Sequence, residues 1–166
     1  MLTVDELILE LIETSRQASM EELAVIIMHV VHAPFATYLS RVPIELRQLL
    51  AQRGIVVPAR LSSLQRHLFK RIYDEEQWPT DTTADQYIAD LHQAIVHPIV
   101  QIWTYRYLGQ PFVGFLAPSH VQNATRPERY IFVAYSPVYK TLTTGYQASN
   151  AQSIFTIEYT DLVRHL

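Results

Sequence analysis

The feature that most restricts what this chain can fold into is a change of hydrophobic period at His97-Pro98. Before it, apolar residues recur every three or four positions, as one face of an α-helix requires. After it, β-branched and aromatic residues follow the period of two that a half-buried strand requires. Such a chain builds helices first and pairs strands second. The expected class is α+β, a helical N-terminal half followed by a four- to five-stranded antiparallel sheet.

Local signals mark the elements. Thr3 with Glu6, and Ser19 with Glu22, are capping-box pairs, and each opens an apolar helical run. Residues 23 to 31 are apolar nearly all round, which predicts the second helix as the most buried of the set and makes a homodimer through the N-terminal helices the simplest way to cover it. A short basic helix is expected from Pro43 to about Arg53, stopped by Gly54, and another from Ser62 to about Glu76. Thr82 with Asp85 is expected to cap a helix carrying Tyr87, Ile88, Leu91 and Ile95. Strands are expected at residues 99–107, 111–117, 130–136, 141–148 and 153–159, with a short terminal helix. The helix at 83–96 should pack on the last three strands through Phe132, Leu142 and Phe155. The break at Trp78-Pro79 divides a helical module, 1–78, from a helix-plus-sheet domain, 79–166.

Composition excludes several classes. With 166 residues and no cysteine, the chain can bury a core without staples and has no disulfide, thiolate metal site or cysteine nucleophile. No apolar run approaches the ~20 residues that span a bilayer, and acids stand at Asp5 and Glu6 where a signal peptide needs cations, so a cytoplasmic protein with no membrane partner is expected. The net charge of −3 hides blocks: residues 1–40 sum to −5, residues 41–71 to +6, residues 72–98 to −6 and the remainder to +2. Such blocks pair with one another, lie on solvated faces, or present a basic surface to phosphates.

Chemistry has few candidates. His97, at the helix-to-strand junction, has the side chain that titrates nearest neutral pH and suits a general acid or base, although a His at a helix end is also an ordinary dipole partner. Arg106 in the first strand could hold a phosphate, or lie solvated. Thr144 and Tyr146 share one face of a strand, with Thr143 and Gln147 on the other and Gly145 between them marking a bulge or a close approach. His29 and His32 are spaced H-x-x-H without a matching carboxylate, which suits core or interface residues better than a metal site. Phosphate-binding glycine loops, zinc-protease and serine-hydrolase motifs are all absent, and no cofactor is expected.

The order helix then antiparallel sheet, with His97 near the helix end, Arg106 in the first strand and Ser136, Thr144 and Tyr146 in late strands, resembles the metal-independent ribonuclease superfamily that gathers barnase, EndoU, certain colicins and RelE-like toxins. The resemblance covers residues 82–159. It implies a toxin-type ribonuclease in which His97 is general acid or base, Arg106 holds the phosphate, and Ser136, Thr144 and Tyr146 position the ribose. RNA would be the substrate, and the helical half would serve dimerisation or neutralisation by an antitoxin. Segment 72–166 sums to −4, however, whereas active members are usually basic. The rival reading is a non-enzymatic helical interaction or nucleic-acid-binding protein, with residues 20–76 as a helical binding module, the basic stretch Arg41 to Arg71 as a helix-turn-helix-like surface for DNA, and the sheet as scaffold.

Overall fold

The computed structural model describes all 166 residues, and its class is α+β. Two capped helices open the chain: α1 (Val4–Thr14) and α2 (Met20–Val30), each closed at its N-terminus by the reciprocal bonds of Thr3 with Glu6 and of Ser19 with Glu22. A two-stranded ribbon, β1 (Leu39–Arg41) with β2 (Arg60–Ser62), then brackets α3 (Ile44–Gln52). Ser62 caps α4 (Ser63–Phe69), which continues directly into one π-helical stretch, Lys70–Asp74. α5 (Ala84–Ile95) starts one residue later than expected, because Thr83 and Gln86, rather than Thr82 and Asp85, make the reciprocal cap.

Five antiparallel strands follow: β3 (Gln101–Tyr107), β4 (Gln110–Pro118), β5 (Tyr130–Ser136), β6 (Thr141–Ala148) and β7 (Tyr159–Arg164), ordered β6-β5-β4-β3-β7. The chain end reverses the expected order of strand and helix. Asn150 caps a helical turn, α6 (Ala151–Ile154), and the last strand comes after it, crossing to the far edge to pair with β3 instead of β6. Residues 153–159 cannot form the expected strand because Ser153 donates its backbone N–H to the Asn150 cap.

Alternation along the strands divides the sheet into two faces. Ile102, Val113, Phe115, Ile131, Val133 and Leu142 belong to a core of 24 buried residues completed by Ile8, Leu11 and Ile12 of α1, by α2, and by Tyr87, Leu91 and Ile95 of α5. That core draws side chains from both sides of residue 78. Phe132 and Phe155 do not contribute to it, contrary to expectation. They lie on the opposite, free face with Tyr105, Leu116, Ala134 and Ala148, since Phe132 is out of phase with Ile131 and Val133, and Phe155 follows the α6 turn.

α2 is less enclosed than its composition suggests. Leu23, Ile26 and Val30 are buried, but Val25 and Met28 are 48% and 64% exposed, because α1 and α5 cover only one side of it. The β6 edge is fully engaged. Leu142 exchanges backbone bonds with Pro34 and Ala36, the Gly145 carbonyl accepts from Arg71 Nε and from the Tyr87 hydroxyl, and Gln77 bonds the Gln147 backbone at both N–H and carbonyl. An edge satisfied in this way does not recruit foreign strands. No helix is long and apolar enough to cross a membrane.

Candidate functional site

The free face is the part of the molecule that no helix seals. Its floor is aromatic: Tyr105 and Tyr107 from β3, Phe112 from β4, Phe132 from β5, Tyr146 from β6 and Tyr159 from β7 line a groove of about 430 Å³. Arg66, His67, Lys70 and Arg71, from α4 and the π-helical stretch, form one wall, and no carboxylate is among its lining residues. A second hollow of about 560 Å³ adjoins it, sharing Tyr38, Phe112 and Thr143 and adding Ser136 and Thr141. The Thr141 hydroxyl is buried there without a hydrogen-bond partner.

Local geometry explains why these groups converge. A register shift opposite Ala134 and Tyr135 lets Leu142 enter the core while Thr143 joins Thr144 on the groove side, so strict alternation fails at Thr143. Gly145 marks a close approach, but by α5 and not by a ligand: a Cβ there would lie 2.4 Å from a Leu91 methyl carbon. The π-helical stretch brings Arg71 inward, where Nε donates to the Gly145 carbonyl (2.7 Å), Nη2 donates to the Thr144 hydroxyl (3.1 Å) and Nη1 pairs with Glu75. Its guanidinium lies 5.3 Å from the Tyr146 ring centroid. Arg71 is thus a buried staple whose charge Glu75 offsets, whereas Lys70 and Arg66 have no acidic partner, Arg66 donating only to the Ser40 hydroxyl.

Electrostatics fix protonation states. Burial, followed by the nearby Arg71 charge, lowers the His67 imidazole to about 4, so it is neutral near pH 7. Its Nδ1 lies 2.7 Å from the Ser63 carbonyl, which can only accept, so Nδ1 carries the proton and Nε2 is left as an acceptor. Burial and the neighbouring Tyr159 phenol push Tyr146 upward, and burial likewise raises Tyr105 and Tyr159. These phenols stay protonated at neutral pH and act as donors, not bases.

Of the residues expected to act together, Thr144 and Tyr146 share the groove and Ser136 lines the adjoining hollow. His97 and Arg106 line neither. His97 accepts from the Ile99 backbone N–H through Nδ1, holding the turn after α5, and Arg106 pairs across the edge strand with Asp161 at 3.1 Å. Compared with protein-family models, curated proteins and solved structures, the chain matches none. Its site therefore has to be read from its own geometry.

The imidazole and guanidinium of the groove come from His67 and Arg71. A signal for them was present in the spacing of Arg66, His67, Lys70 and Arg71, two i,i+4 pairs on consecutive stripes of one helical segment. Elsewhere, His29 does have a carboxylate neighbour: its Nε2 lies 3.3 Å from Asp5, and the Tyr135 hydroxyl joins both. No group of three or more metal-ligating side chains gathers anywhere.

Proposed function

We propose that this protein binds single-stranded RNA along the free face of its sheet, which keeps the nucleic-acid binding of the rival reading but moves it from the helical module to the sheet. The observation that carries the proposal is the pairing of an aromatic floor with a wall whose Arg66 and Lys70 lack carboxylate partners. Single strands are held in this way: bases stack on aromatic side chains, contributing ~1–3 kcal/mol each, while cations track the phosphates. The overall charge of −3 does not oppose this, because the field a ligand meets in a groove is local.

A second reading, cleavage of the bound strand, draws on one observation. Neutral His67, the Arg71 guanidinium and the Thr144 hydroxyl lie together in the groove, which supplies an imidazole where the ribonuclease resemblance had relied on His97. The test is titration of a labelled single-stranded oligonucleotide by fluorescence anisotropy, followed by electrophoresis of the same sample with and without chelator. Saturable binding that falls about tenfold or more in Arg66→Gln/Lys70→Gln, with the strand intact, supports the binding reading. Chelator-resistant cleavage lost in His67→Gln would favour the second, and no binding at low salt would remove both. A homodimer, if formed, would use the outward side of α2 around Met20, Val25 and Met28, and sedimentation tests it separately.

A further inference from the structure

The basic block at residues 41–71 is almost unpaired. Among its seven cations only Arg71 forms an ion pair, with Glu75. Several acids are committed elsewhere, Glu10 and Glu22 to Arg16, Glu76 to Arg126, Asp90 to His120 and Asp161 to Arg106, and Glu45 within the block pairs with none of its cations. Within the block, Arg41 of β1 stands directly opposite Arg60 of β2 in the ribbon register, both exposed and neither with a carboxylate in reach. Direct cross-strand partners share one face of a ribbon, and like charges in that relation repel. A two-stranded ribbon carrying such a pair is better balanced with an anion between the arginines.

The ribbon is continuous with the groove. Tyr38, which lines both hollows, immediately precedes β1 and accepts the Ser63 backbone N–H at 2.8 Å, and Arg66 of the groove wall donates to Ser40 in β1 at 2.8 Å. Strand rise puts Arg41 roughly 10 Å beyond Tyr38 along the chain. One phosphate seated beside Lys70 and Arg66 leaves the arginine pair empty, whereas successive phosphates of one strand reach both.

We infer that Arg41 and Arg60 form a phosphate clamp on the ribbon that runs outward from Tyr38, outside the groove itself, and that the ligand is a polynucleotide strand and not a mononucleotide. The inference rests on the proposed binding at the free face and adds the direction in which the strand leaves it. Both side chains point to solvent, so Arg41→Gln/Arg60→Gln keeps the fold and, by relieving repulsion, leaves the melting temperature equal or higher.

The experiment measures affinity for a labelled single-stranded RNA of about ten nucleotides, within the usual site size, across a range of KCl concentrations. It compares the wild type, Arg41→Gln/Arg60→Gln and Arg66→Gln/Lys70→Gln, with labelled AMP as the mononucleotide probe. For single strands each phosphate contact adds about 0.7 to the slope of log K against log salt, so loss of the clamp should flatten it by about 1.4 if each arginine holds one phosphate, or about 0.7 if they share one. AMP binding should be unchanged. A clamp variant with wild-type affinity and slope, while the groove variant is weakened, would overturn the clamp and leave the groove standing. A lowered melting temperature would contradict the repulsion on which the clamp rests. A wild type that binds no RNA overturns clamp and groove together.

Discussion

The two faces of the five-stranded sheet are made from alternate residues of the same strands, yet they differ in kind. One is mostly aliphatic and sealed: Ile102, Val113, Ile131, Val133 and Leu142, with Phe115 and Tyr135, meet α1, α2 and α5 with nothing left for a ligand. The other is aromatic: Tyr105 and Phe132 are buried among rings packed edge to face with Phe155, while half-buried Phe112, Tyr146 and Tyr159 line the groove that basic side chains overlook. Aliphatic packing against helices specifies a fold. Half-exposed aromatic rings beside cations are what the proposed binding would use, and that reading separates residues that stabilise this molecule from those that would serve it.

The largest expected effect lies on the sealed face. Leu91→Ala removes a fully buried side chain at the centre of the α5 contact and should cost about 2–5 kcal/mol by chemical denaturation; a change below ~0.5 kcal/mol, typical of surface sites, would mean the faces are assigned the wrong way round. Next comes the wall of the open face. His67 is held below its ordinary value, so the unfolded chain takes up its proton first as pH falls, and stability is lost between about 6.5 and 4, on the order of 3 kcal/mol in total. His67→Gln should flatten that profile. His165 contributes in the same direction, since burial lowers it and its Nδ1 must stay unprotonated to accept the Ala18 N–H. A stability flat from pH 7 to 4.5 would show that His67 is not enclosed.

Gly145→Ala tests the strand that both faces share. The added methyl meets Leu91 with no room to spare, and overpacking of this kind costs about 1–3 kcal/mol; a neutral result would mean that α5 sits farther from β6 than described. The smallest effect is expected at His97→Ala, within about 0.5 kcal/mol of wild type and without change in RNA affinity, because His97 lines neither hollow of the open face. A large loss of affinity there would break the comparison at its root.

Much of the fold could be read from periodicity and caps. β5 and β6 fall on residues 130–136 and 141–148 as the sequence predicts, and both N-terminal capping boxes form, because each depends on interactions within a few residues. What was hidden depends on longer range. Period two shows that Phe132 and Val133 point opposite ways but not which of the two faces the helices cover. β7 was hidden because its pairing with β3 is non-local and an Asn150 cap redirects the chain before it. At the site, Thr144 and Tyr146 were legible from strand alternation, whereas His67 from α4 and Arg71 from the π-helical stretch were hinted at only by their i,i+4 spacing, and no short signal announces the π turn that aims Arg71 inward. His97 and Arg106 fit the expected residue types, but position in the fold decides use, and theirs is taken by a turn and by Asp161.

The central claim, that the open face is where this protein meets its ligand, is tested most directly by backbone and aromatic NMR shifts during titration with a short single-stranded RNA. The account predicts saturable changes at Tyr105, Phe112, Phe132, Thr144 and Tyr146 and along Arg66 to Arg71, with the aliphatic face and His97 silent. Changes clustered around His97, Arg106 or the outward side of α2, or none at the highest RNA concentration, would contradict it.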